Sequence, residues 1–173
     1  MKNLIRKIVF TTALLAICNS VYAQQPEDLS GTYAIKANSN DKAAGTHLSI
    51  WTYGEVVSYK GGETKWTIKK VGDDGDKRLY TLEQKGKYLS VKDGTKIISS
   101  DKPGQWIVWK ASNGYAIMWY EDATKGANAL SLIKTASGYA TRDGHAHYLV
   151  NLARNNAGGK GNSHQVWELT KKD

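Results

Sequence analysis

The sequence predicts an all-β fold with threefold internal repetition, and three observations carry that expectation. One short pattern occurs three times: Tyr-x-aliphatic, then Leu-Ser-aliphatic, then Trp-x-aliphatic. Each triplet sets two large apolar side chains two residues apart, on one face of a strand, because successive strand residues point to opposite sides. From Gly31 onward, short alternating apolar runs are broken by Gly, Asn and Asp, and hardly a window holds helical period. Finally, Asn113-Gly114 separates Trp106–Ser112 from Tyr115–Glu121. An Asn-Gly pair between two such runs predicts a hairpin with a type I′ turn, whose two central residues need positive φ.

The elements follow in chain order. Residues 1–23 read as a secretory signal, with Lys2, Arg6 and Lys7 ahead of the apolar run Ile8–Ile17 and the small-x-small site Val21-Tyr22-Ala23. That run is too short to cross a bilayer core of about 30 Å as a helix. The chain is therefore expected to be exported, periplasmic or secreted, without a transmembrane segment; a lipoprotein anchored through Cys18 is the lesser alternative, since Ile17 stands where a small residue is wanted. Residues 24–30 form a polar lead-in, and residues 31–173 a single domain.

Repeat one, about 31–70, holds Tyr33-Ala34-Ile35, Leu48-Ser49-Ile50 and Trp66-Thr67-Ile68. Repeat two, about 78–109, holds Tyr80-Thr81-Leu82, Leu89-Ser90-Val91 and Trp106-Ile107-Val108. Repeat three, about 113–170, holds Tyr115-Ala116-Ile117, Leu130-Ser131-Leu132 and Trp167-Glu168-Leu169. Trp66, Trp106 and Trp167 are expected in the core. Leu48 to Trp66 spans 18 residues, Leu89 to Trp106 spans 17, and Leu130 to Trp167 spans 37. The extra length, roughly Ile133 to Ser163, is expected to be a surface insertion, the kind of segment that carries function more often than packing.

Composition narrows the classes. Cys18 is the only cysteine, so the mature chain must hold together without disulfides. Removing Lys2, Arg6 and Lys7 from the 24 Lys and Arg leaves 21 against 16 acids, a net charge of +5. The lysines are scattered, without the dense runs of a nucleic-acid arm, so no nucleic-acid partner is expected. Nor is catalysis: the mature chain has no thiol nucleophile, no Gly-x-Ser-x-Gly elbow and no phosphate loop. No cofactor is called for. His145-Ala146-His147 places two imidazoles at strand spacing, with Asp143 and His164 as the further candidates, but two histidines fall short of the three or four ligands of a zinc site, and no metal is expected.

Three repeats of about 40 residues, each with about four strands, resemble the β-trefoil. Within that fold the chain resembles a ricin-type lectin domain over residues 31–170, through its three Trp-x-aliphatic endings and the Gln-x-Trp signature Gln165-Val166-Trp167. Repeat two keeps Gln105 directly before Trp106, and repeat one has Lys65 there. The resemblance implies a glycan or glycoconjugate partner.

In that family the central residue of the second triplet is commonly a sugar-binding Asp. Here it is Ser49, Ser90 and Ser131. A hydroxyl makes weaker hydrogen bonds than a carboxylate, so other groups must carry recognition. The candidates in repeat one are Trp51, Tyr53 and Tyr59; in repeat three they are Ser131, Tyr148, Asn151, Asn155, Asn156, His164 and Gln165. An aromatic face covers the apolar C–H patch of a sugar while amides serve its hydroxyls. The rival is a trefoil that binds a protein, as an inhibitor, an immunity-like partner or a component of a bacterial cell envelope, without sugar. Gly86–Val91 also resembles the strand pattern of fascin-like trefoils, over those few residues alone.

Overall fold

The computed structural model describes residues 28–39, 45–51, 54–60, 64–122, 128–133, 140–142, 145–154 and 163–173. Residues 1–23, expected from the sequence to be a secretory signal, and Tyr53, Asn155 and Asn156 lie outside them.

The strands are β1 (Gly31–Ala37), β2 (His47–Ile50), β3 (Val56–Tyr59), β4 (Trp66–Asp74), β5 (Lys77–Gln84), β6 (Lys87–Lys92) and β7 (Lys96–Ser100). They continue with β8 (Trp106–Ala111), β9 (Gly114–Trp119), β10 (Asn128–Ile133), β11 (Ala140–Arg142), β12 (His145–Arg154) and β13 (Trp167–Lys171). Two 3-10 turns, Tyr120–Asp122 and Ser163–Gln165, complete the described elements. Among the described residues no helix is long and apolar enough to cross a membrane.

All pairing is antiparallel. β1, β4, β5, β8, β9 and β13 close a ring, each bonded to the next and β13 back to β1. The other strands form hairpins, β2–β3 and β6–β7, together with the pair β10–β12. These meet where β12 pairs with β3 and with β7, and where Glu55 bridges to Ile98. Closure removes open edges from the ring, which suits a chain that must not aggregate through them.

The recurring triplets fill the core. Ile35, Leu82 and Ile117 are fully buried, as are Leu48, Leu89 and Leu130. So are Trp66, Trp106 and Trp167, and each indole makes the same bond: Nε1 of Trp66 donates to Leu48 O at 2.8 Å, that of Trp106 to Leu89 O at 3.0 Å, and that of Trp167 to Leu130 O at 3.0 Å. Each Trp thus ties the strand opening its cap hairpin to the ring. A buried indole N–H needs such a partner, and the fixed motif supplies it each time.

Two expectations are corrected. The β8–β9 hairpin forms, but its turn residues are Ser112 and Asn113, and Gly114 already pairs with Ala111. Neither Asn113 nor Gly114 has positive φ, so the turn is not type I′. Glycine is needed at 114 for space instead: a Cβ there would lie 2.7 Å from Trp167 O and 2.8 Å from Val166 Cγ1. Positive φ occurs at Lys85 and Gly86, which turn β5 into β6, and at Asp93 and Gly94, which turn β6 into β7.

The second correction concerns the expected insertion. Residues 145–154 are a paired strand between β10 and β3, not a surface loop. Tyr148, Val150 and Leu152 alternate into the core. Strand β11, which pairs with the start of β12, accounts for part of the added length.

Candidate functional site

Repeat one brings two of its aromatic candidates together. Strands β2 and β3 pair from His47↔Tyr59 to Ile50↔Val56, and the turn is closed by Trp51 N donating to Glu55 O at 2.7 Å and Gly54 N to Trp51 O at 2.8 Å. The turn returns the chain so that the Trp51 and Tyr59 rings lie nearly parallel, 6.2 Å between centroids and 8° between planes. That is within the range of favourable ring pairs. Both residues are half-buried. Tyr53, in the same turn, lies outside the described residues.

The sequence had not pointed to Gln84. Its buried carboxamide reaches β2 from β5: Oε1 accepts from Ile50 N at 2.6 Å and from Ser49 Oγ at 3.4 Å. Ser49 therefore faces an internal amide and is itself buried. Ser131 is buried too, opposite Asn151 on the β10–β12 ladder, and Ser90 is half-buried opposite Ile98. The hydroxyls at the positions where a ricin-type domain carries Asp are thus closed over by the fold at Ser49 and Ser131.

The repeat-three candidates separate. Tyr148 is 5% exposed and packs in the main core, so it has no face to offer a ligand; its place in the inward alternation of β12 is the reason. Gln165 is fully buried, its Nε2 donating to Ala153 O at 3.2 Å and to Arg154 O at 2.8 Å, which ties the 3-10 turn to the end of β12. Its role is internal. His164 beside it is half-buried. Asn155 and Asn156 lie outside the described residues. Asn151 is half-buried and pairs in register with Lys96 of β7.

Asn151 also lines a cleft of about 630 Å³ where β3, β7 and β12 converge. Its walls include Ile98, Ile133 and Leu149, with Glu55, Lys92 and Lys96 at its margins. Leu149 is 40% exposed, although its strand is paired on both sides, with Ile133 of β10 and Val57 of β3 opposite it. Among the described residues there is no group of three or more His, Cys, Asp or Glu able to hold a metal.

No protein-family model matches this chain, and no curated protein matches it. Among solved structures it is similar to the agglutinin of Rhizoctonia solani, with 22% identity and a TM-score of 0.58, over 85% of this chain and 99% of the agglutinin. The resemblance to ricin-type trefoil lectins read from the repeats is thus met at the level of fold.

Proposed function

We infer that the chain is an exported β-trefoil that binds carbohydrate and catalyses no reaction, with the Trp51–Tyr59 surface as its recognition face. The observation that carries this reading is the parallel ring pair of two half-buried residues, on a fold shared with an agglutinin. Threefold recurrence of the Trp–Leu hydrogen bond supports the trefoil repeats. With Ser49 turned to Gln84 and Ser131 buried, recognition rests on ring surface and nearby amides rather than on a carboxylate. Tyr53, two residues after Trp51 in sequence, would add to recognition in repeat one, and Asn155, Asn156 and His164 would extend it in repeat three.

A glycan array followed by calorimetry tests this. Trp51→Ala should weaken the sugar by about 1–3 kcal/mol, the range for losing a stacked aromatic face, while the protein stays folded. Equal affinity in wild type and variant would remove the site from repeat one. The buried serines favour one other reading, a trefoil that binds a protein partner. A stoichiometric partner, recovered from envelope extract and indifferent to added sugar, would support it. Export itself is checked by the mature N-terminus, expected at Gln24.

A further inference from the structure

We propose that the cleft at the centre of the cap hairpins is a second binding site, for the carboxylate-bearing residue of an acidic oligosaccharide. The inference rests on the carbohydrate reading for its ligand class, and on the cleft itself for the charge.

The three-residue turn Asp93-Gly94-Thr95 sets Lys92 directly opposite Lys96 on the β6–β7 ladder. Like charges directly opposite each other disfavour a strand pair. Neither lysine forms an ion pair among the described residues, and both are exposed and line the cleft. A carboxylate between them would relieve that repulsion and accept two charge-assisted hydrogen bonds.

The remaining walls suit the rest of a sugar ring. Ile98, Ile133 and Leu149 give the cleft aliphatic lining for a C–H face. Asn151, in register with Lys96, carries an amide that can both donate to and accept from sugar hydroxyls. The volume of about 630 Å³ lies within the ordinary range for small-ligand sites. The rim is held by hydrogen bonds, the backbone Leu152 N donating to Thr95 O at 2.9 Å and the Ser99 hydroxyl Oγ to Gly54 O at 2.7 Å. A preformed cleft loses less order on binding.

The test is calorimetry of the mature protein with trigalacturonate and with its methyl ester, which keeps the sugar and removes the charge. Trigalacturonate should bind wild type, and K92Q/K96Q should weaken it at least tenfold, about 1.4 kcal/mol, with thermal melts confirming the fold. The ester should bind wild type as weakly as the acid binds the double variant. Trp51→Ala should leave trigalacturonate affinity unchanged. Equal binding of acid and ester, or equal affinity in K92Q/K96Q, would overturn the site. Neutral glycans bound through Trp51 with no trigalacturonate binding would overturn this inference and leave the first reading standing. Failure of every saccharide against folded protein would overturn both.

Discussion

Replacing each motif tryptophan by phenylalanine measures the repeated contact directly. Phenylalanine keeps an aromatic ring in the core but deletes the Nε1–H that reaches Leu48, Leu89 or Leu130. All three tryptophans are fully buried, so water cannot replace the lost donor. An acceptor stripped of its bond in such a place costs about 1–3 kcal/mol, and the smaller ring leaves a void that adds to it. In repeat one Thr64 Oγ1 also donates to Leu48 O, at 2.8 Å, so that carbonyl keeps a partner. Trp66→Phe should therefore cost about 1–2 kcal/mol, and Trp106→Phe and Trp167→Phe about 2–3 kcal/mol. At roughly 2–4 °C per kcal/mol for a domain of this size, the latter two lower Tm by about 4–12 °C. Urea unfolding followed by circular dichroism gives the free energies, with an unchanged slope showing that the comparison is fair. A loss below about 0.5 kcal/mol at Trp167, the size of an ordinary surface substitution, would refute the view that one buried bond holds each repeat to the ring.

Other outcomes follow from single positions. Gly104→Ala should destabilise by about 1–3 kcal/mol, as overpacking does, because its Cβ would lie 2.6 Å from Leu89 O and 2.7 Å from Trp119 Cζ3; a variant melting with wild type would contradict that packing. Tyr148→Ala should cost about 3–5 kcal/mol, as for other buried aromatics, so that binding is lost only through unfolding; a folded variant of wild-type stability would return Tyr148 to the surface. Asp28 accepts from Ser30 Oγ at 2.7 Å and from Ser30 N at 2.9 Å, and these bonds hold its carboxyl below the usual carboxylate range. Its stabilising contribution is present above the unfolded pKa and disappears as pH falls through the lowered folded value. An NMR titration should show that low midpoint rising in Ser30→Ala; no movement would remove Ser30 as the cause.

Local periodicity made much of this fold legible. The alternation of Ile35, Leu82 and Ile117, the paired leucines and the closing tryptophans all name core residues, because a strand shows its inward face every second residue whatever lies across from it. The Asn-Gly pair located the β8–β9 hairpin for the same reason, although what holds Gly114 is the close approach of Trp167 O, a contact 53 residues away in sequence. Residues 145–154 were misread because counting from one motif to the next registers added length without saying which part pairs. The inward rhythm of Tyr148, Val150 and Leu152 was present in the sequence, and only the seating of β12 between β10 and β3 shows that the rhythm belongs to the core.

Candidate-site residues divide along the same line. Trp51 and Tyr59 could be named together because one short hairpin holds both. That Gln84 closes over Ser49, and that the two lysines share a cleft with Asn151, Leu149 and Glu55, was decided by tertiary structure alone. Those residues come from different repeats, and what joins them is pairing between distant strands, whose geometry no window of sequence contains.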